Sequence, residues 1–422
     1  MTRRFSRHDA APRRRWAVFS LAALAVIGAC GWLAPTVLVL TSLRDRPLQA
    51  VFAGIDGSIE SGSARWNWIT GIEFRDVILR DRAGTAVALV PRVVIDRGLA
   101  LLAVSPRDLG TVRLVTPEVI VEVRSGGSSL EDILAPWLAS FVAVPVAGSP
   151  RFDLEVVDGA VELVDRERHD AWRVSEVMAV GSVERDATLA GWTVAGRVRH
   201  AVPTDAAVAP PPPPAALAAL PPDSSARLDR TTIAARATAV LARDGGWSVS
   251  SPEAAHDGTA RTVTVATHRL PLGVSSVLAT RFGKRHVLDG LADVRLDVQA
   301  APASVRATGT LVLDEAALCV ADTLAELVSV TRCELPLDLT LEPDRVVVRK
   351  LTAKSPLFRG EASGTIRLPT GGSWDWAEEL VSEDFAIAAD IDLAAVSQGM
   401  PGGLAVRPDV RLTGGTLELA AA

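Results

Sequence analysis

The chain has 422 residues, 48% of them hydrophobic, and a net charge of −6; its basic side is nearly all arginine, with Lys284, Lys350 and Lys354 as the only lysines. Beyond the first fifteen residues no basic stripe interleaved with aromatics is visible, which argues against a nucleic-acid partner. No second Cys or His stands at ligand-like spacing from Cys319 or Cys333, which argues against a zinc site.

Residues 1–15 hold Arg3, Arg4, Arg7, Arg13, Arg14 and Arg15 and read as a basic cytoplasmic tail. The charge-free run Trp16 to Leu40 follows, long enough as a helix to cross a hydrocarbon core of ~30 Å. The flanking charge asymmetry predicts export of everything downstream. A cleaved signal peptide and lipoprotein processing at Cys30 are competing readings; the length of the run and its apolar continuation past Cys30 argue against both.

Leu43 to Ala64, with Gly54, Gly57 and Gly62, reads as loop. Strands are predicted at Phe74–Leu79, ending at the turn Asp81 to Gly84, then at Ala86–Val90 and Val93–Ile95. Val112 and Leu114, and then Val119, Val121 and Val123, alternate with polar neighbours on either side of Pro117. Alternation puts the valines on one face and Glu118, Glu122 and Arg124 on the other. Ser128 to Glu131 reads as a capping sequence for a helix from Leu130 to Ala143. These elements make a first β unit, residues 43–144.

A second unit, 151–200, opens on alternating Phe152, Leu154 and Val156; Asp158-Gly159 predicts a hairpin turn. Strands follow at Trp172–Val174, Val177–Val183 and Trp192–Val198. Residues 201–226 contain the prolines Pro210 to Pro214, Pro221 and Pro222 and read as a stiff linker or exposed loop. The remainder, 227–422, continues the pattern. Strands are expected at Thr231–Leu241, Trp247–Ser250, Thr262–Ala266, Ala292–Val298, Val305–Leu313, Pro336–Leu341, Arg345–Leu351, Gly360–Leu368 and Phe385–Leu393. Short helices are expected at Val274–Phe282 and Ala321–Val330, and a hairpin turn at Glu342-Pro343-Asp344. The element type barely changes along the chain, as in an array that grows by addition of strands. A disulfide between Cys319 and Cys333 stays open, since it depends on how their strands pair.

Trp68-Ile69-Thr70-Gly71-Ile72-Glu73-Phe74-Arg75-Asp76-Val77, with Gly84, resembles the opening of AsmA-like proteins, the TamB branch included. The similarity continues in order through Val93 to Asp96, Leu99 to Leu102, Val112 to Leu114, Pro117 to Val119 and Leu130 to Leu134, and resumes more loosely at Leu270 to Gly290 and Phe358 to Leu368. The resemblance implies one inner-membrane helix followed by an elongated, curled, antiparallel-rich β-sheet with few short helices. That sheet forms a periplasmic groove, apolar inside, that carries phospholipid acyl chains or assists outer-membrane assembly. It implies the inner membrane, phospholipid and an outer-membrane or envelope protein as partners, and brings no catalytic motif and no cofactor. The chain is short for a bridge between membranes and stops at Leu417 to Ala420 in what reads as mid-strand, as a short member or a truncated product would.

The residues by themselves give no catalytic constellation. His8, His169, His200, His256, His268 and His286 are scattered, and Gly126-Gly127 and Gly371-Gly372 lack the lysine and hydroxyl of a phosphate loop. The alternating apolar positions carry the functional expectation instead, with Val119, Val121, Val123, Leu154, Val156, Val294, Leu296, Val346 and Val348 as candidate groove lining. Two non-enzymatic readings follow: a groove for acyl chains, or a periplasmic scaffold or assembly factor whose apolar faces are buried against its own helices.

Overall fold

The computed structural model describes residues 31–52, 54–143, 151–183, 189–201, 230–251, 261–281, 286–301, 304–320, 326–367, 381–399 and 413–421. The strands are β1 (Gly57–Arg65), β2 (Ile72–Asp81), β3 (Ala86–Ile95), β4 (Asp108–Val115), β5 (Glu118–Arg124), β6 (Gly127–Ser128), β7 (Arg151–Asp165), β8 (Asp170–Val183) and β9 (Leu189–Ala201). They continue as β10 (Gly246–Ser251), β11 (Arg261–His268), β12 (Leu270–Pro271), β13 (His286–Ala301), β14 (Ser304–Val320), β15 (Glu326–Leu341), β16 (Arg345–Lys354), β17 (Phe358–Arg367), β18 (Val381–Asp392) and β19 (Thr416–Ala421). The helices are α1 over residues 31–39, α2 (Arg46–Val51), α3 (Leu99–Val104), α4 (Ser129–Ala143), α5 (Arg230–Leu241), α6 (Ser275–Arg281) and α7 (Leu393–Gly399).

All the described strands belong to one sheet of 19, in which successive strands pair as antiparallel neighbours from β7 to the end, with β11 and the two-residue β12 both pairing with β13. The exception lies where β4 and β5, two halves of one strand broken at Thr116-Pro117, run antiparallel to β3 and parallel to β7. α4 occupies the connection between β5 and β7, as a parallel step requires a crossover. The sheet is therefore mixed, overwhelmingly antiparallel, and continuous across all three units read from the sequence. β9 and β10 pair directly, so the two sides of the proline-rich segment are sheet neighbours; that segment lies outside the described residues.

A row of backbone irregularities crosses the first half of the sheet. Asp76 in β2, Thr116 between β4 and β5, Asp158 in β7 and Glu176 in β8 all have positive φ at the same level, and the register between β7, β8 and β9 shifts at the last two as β-bulges. Pro91 of β3, which has no N–H to give a ladder, sits opposite the first two. Each bulge bends its strand and raises the local twist.

Several expectations are overturned. Asp158-Gly159 is not a hairpin turn: β7 runs straight through it, because Thr116 N–H donates to Val157 O (2.8 Å) and Ala160 N–H to Pro117 O (2.7 Å), holding the extra residue as a bulge. The segment 43–64 is not loop. It forms a turn of 3₁₀ helix at Ser42–Asp45, α2, and β1, whose pairing with β2 tolerates Gly57 and Gly62. Thr231–Leu241 is helix α5 rather than strand. The β-branched Thr231, Thr232 and Ile233 are outweighed by four alanines and by Val240, which docks on Met178 and Ala195. Residues 326–330 of the expected helix at Ala321–Val330 are strand β15, drawn into register by β14; 321–325 lie outside the described residues.

Of the predicted membrane span, residues 16–30 lie outside the described residues and 31–39 are helical. Among the described residues no helix is long and apolar enough to cross a membrane. Trp32, Leu33, Val37 and Leu40 of this segment are more than half exposed, and Trp68 Nε1–H donates to Trp32 O (3.1 Å), tying α1 to the connection between β1 and β2. Cys319 stands opposite Glu326 and Cys333 opposite Leu313, so no disulfide joins them. Burial pushes the Cys333 thiol pKa up.

A candidate apolar groove on one face of the sheet

Register decides which side chains share a face, because directly opposed residues in a ladder point the same way. Val119, Val121 and Val123 oppose Val161, Leu163 and Asp165, and Leu154 and Val156 oppose Val112 and Leu114. The bulge at Asp158-Gly159 shifts the parity of β7, so its even apolar positions before the bulge and its odd ones after it face the same side. β9, regular from Val194 to Val198, opposes both sets through β8. The face continues through Val249 and Val265 to Leu296, then Leu311 and Leu313, Leu335 to Leu341, Val346, Val348 and Leu351, Ala362 and Ile366, Ile387 and Ile391, and Leu417 and Leu419. All nine candidate lining residues thus lie on one face of one sheet.

They do not share one environment. At the beginning of the sheet α2 and α3 cover the face. Leu48, Phe52, Leu99 and Leu102 pack with Ile59, Ile72, Phe74, Val77 and Val93 in a closed core. Next, α4 and α6 roof it, and Val121, Val123, Trp172, Val198 and Val277 are buried together with Val119 and Leu130 at their margin. Val121 and Val123 are therefore core and Val119 is half-buried at its margin, beneath α4 and α6 and not on the open part of the face. From β13 onward the face is half-covered. Val294, Leu296 and Val346 are intermediate in burial, Val348 is buried, and Leu341, Ile387, Leu417 and Leu419 are 41–48% exposed. Leu154 and Val156 lie between, half-buried beside the first core. α7 contacts β15 and β18, with Val396 buried.

Leu311, Leu313, Leu335, Leu337 and Leu339 share this face and were not among the candidates. The alternation Leu335-Pro336-Leu337-Asp338-Leu339-Thr340-Leu341 was the signal that could have found them.

The opposite face is polar. Arg113 Nε–H donates to Glu155 (2.7 Å), Thr264 Oγ1–H to Asp297 (2.9 Å), and Arg306 grips Asp338 through two hydrogen bonds (3.0 and 2.8 Å). That bidentate contact holds the Asp338 carboxyl below the usual carboxylate range and raises Arg306. α5 lies on this side, since Ala195 alternates with the inward Val194.

One polar cluster interrupts the apolar face, at the roof. Asp165, fully buried, accepts from Arg168 N–H (3.0 Å) and from Thr280 Oγ1 of α6. Asp170 accepts from Ser276 Oγ of α6 (2.6 Å), Trp172 Nε1 (3.0 Å) and His200 Nε2 (2.9 Å). Burial pushes the Asp170 pKa up, but these hydrogen bonds outweigh it and hold the group below its ordinary value. Ser276 and His200 share the carboxylate instead of bonding each other, so the trio does not make the hydroxyl-to-imidazole contact of a nucleophile and its base. It staples α6 down, and Trp172 packs so close to Gly273, ahead of α6, that a Cβ there would lie 2.9 Å from the indole. The other scattered histidines are accounted for where described: His169 is in an exposed turn and His268 Nδ1 is 3.0 Å from Asp293.

Among the described residues no group of His, Cys, Asp and Glu is placed to hold a metal ion. Comparison of the chain with known families found no family model that matches it, and comparison with curated proteins found no match.

Proposed function

We propose that the chain is an inner-membrane-anchored periplasmic protein of the AsmA/TamB type that handles phospholipid acyl chains on the apolar face of its sheet, with no chemistry of its own. The observation that carries this reading is one-sidedness: the apolar face runs from β2 to β19, interrupted by the polar cluster under α6, yet from β13 onward its helical cover thins to α7. Half-exposed aliphatic rows on a continuous face are costly in water and match the surface of an acyl chain. In this reading α1, the described end of the apolar run Trp16 to Leu40, fixes the sheet to the membrane, and the curl that closes the face around a chain follows from the twist of so many strands.

The second reading, a scaffold or envelope assembly factor without bound lipid, draws on the roofed first half, where helices already satisfy the face. Lipid mass spectrometry on the full chain purified in mild detergent separates the two. Phospholipid retained in stoichiometric amount, and lost in a Leu296→Asp, Leu339→Asp variant that still unfolds cooperatively with only a modest drop in melting temperature, is the expected result. Equal lipid in both proteins, or none in either, sinks the lipid reading.

A further inference from the structure

The polar face has a feature that the apolar reading leaves unused. Residues 345–367, which are β16 and β17, hold six cations, Arg345, Arg349, Lys350, Lys354, Arg359 and Arg367, against the single carboxylate of Glu361, in a chain whose net charge is −6. All six are exposed, and the register sets like charges face to face twice, Arg345 opposite Arg367 and Lys354 opposite Arg359. Directly opposed like charges disfavour strand pairing, which at Arg345 is offset by ion pairs with Glu342 (2.7 Å) and Asp344 (3.8 Å) of the adjoining turn.

At the middle of the stripe β16 bulges. Val348 opposes Gly364 and Leu351 opposes Ala362, so Arg349 and Lys350 together face Ser363. The bulge keeps Leu351 and Ala353 on the apolar face and removes Lys350 from it, and it doubles the positive charge at one point. A dent of about 560 Å³ opens there, with Arg349 and Lys350 on one wall, Glu361 on another, Ser363, Ala386, Ala388 and Ala420 as the polar-face floor, and Leu351, Ala362 and Ile387 of the apolar rows also at its lining. Among the described residues neither Arg349 nor Lys350 forms an ion pair at contact distance; Asp338, opposite Lys350, is held by Arg306, and Arg349 adds a longer-range attraction to it.

We propose that this dent binds a phosphate ester that also carries an amine, the chemistry shared by an aminophospholipid headgroup and free phosphoethanolamine. Arg349 and Lys350 supply charge-assisted donors for the phosphate, and the hydroxyl of Ser363 a further one. Glu361 receives the ammonium, which an inorganic phosphate lacks. The small floor lets the group approach the backbone. A nucleic acid is disfavoured because among the described residues no aromatic side chain stands on this face to stack a base. The site is on the opposite face from the acyl groove, so its failure and that of the proposed function are separately visible.

The chain has three lysines, which makes acetylation footprinting by mass spectrometry a direct readout. The full chain in a neutral detergent is labelled alone and with inorganic phosphate, phosphoethanolamine or soluble short-chain phosphatidylethanolamine. Expected is protection of Lys350 by the amine-bearing phosphates, with Lys284 unchanged as reference. Protection by the short-chain lipid alone assigns the source to a lipid, and protection by both compounds or by phosphoethanolamine alone assigns the headgroup chemistry itself. Arg349→Gln should weaken the protection more than about tenfold, while Arg166→Gln, far from the stripe, leaves it intact. Glu361→Gln should abolish the preference for phosphoethanolamine over inorganic phosphate. No protection of Lys350 by any compound, equal protection by inorganic phosphate, or protection by single-stranded RNA in preference to these ligands overturns the proposal.

Discussion

The first and last parts of the sheet present the same kind of apolar face and meet different fates. Over β1 to β8 the face is closed by α2, α3, α4 and α6, and Phe74 is 1% exposed; over β13 to β19 aliphatic side chains such as Leu419 stand 48% exposed. The difference teaches that alternation in a strand fixes that one face is apolar, and that what covers it depends on the helices inserted between strands.

The largest contrast comes from placing a charge at matched positions in the two parts. Val121→Asp buries a carboxylate under α4 and α6 with no cationic partner, and is expected to cost about 4 kcal/mol or more. Leu339→Asp on the half-covered part should cost about 1 kcal/mol, the share of its burial that is lost. Denaturant unfolding of both variants checks this, and equal costs would remove the distinction between roofed and open halves. Phe74→Ala, in the first core, should destabilise by about 3–5 kcal/mol by the same measurement.

The roof itself is sharpened next. Thr280→Val removes the α6 hydroxyl from the buried Asp165 and should cost about 2 kcal/mol, seen first as faster amide hydrogen exchange in α6. Protection of α6 equal to that of the parent chain would show that Asp165 does not hold it.

Acid acts on the same staple. Because the folded-state pKa of Asp170 lies below its ordinary value of 3.8, its contribution is present above that value and is lost as pH falls through the folded pKa. Exchange in α6 should therefore quicken on acidification below pH about 4, and Asp170→Asn should flatten that dependence. The smallest effect belongs to the polar side of the open half. Arg332→Gln breaks an exposed 3.3 Å ion pair with Asp314 and should shift stability by no more than about 0.5 kcal/mol in a thermal scan.

How much was legible can be judged from particular residues. The sequence carried the strands around Val93, Val112, Val177 and Val346, the turn at Glu342 to Asp344, where Glu342 N–H donates to Arg345 O (2.8 Å), and the helix after Val274. The residues nominated for the groove do share a face, yet Val121 and Val123 are core with Val119 at its margin, because α6 is contributed by a segment about 150 residues further along the chain, and no local pattern reports such a partner. Asp158-Gly159 was misread because a dipeptide that suits a hairpin also suits a bulge, and the choice was made by Thr116-Pro117 on the neighbouring strand. The cationic stripe was overlooked in the sequence since its six charges are spread over two strands and become adjacent only by pairing.

By itself the sequence determined that this is a β-rich chain with one apolar and one polar face per strand and an apolar run at its beginning, since side-chain period and composition are local properties. Only the tertiary structure decided that the strands form one sheet, that β7 joins it in parallel, that helices seal the face over the first part and leave it half-covered from β13, and that Arg349 and Lys350 share a dent with Glu361. Those outcomes depend on register and on contacts between distant segments, where one residue of slip at a bulge exchanges the two faces of a strand.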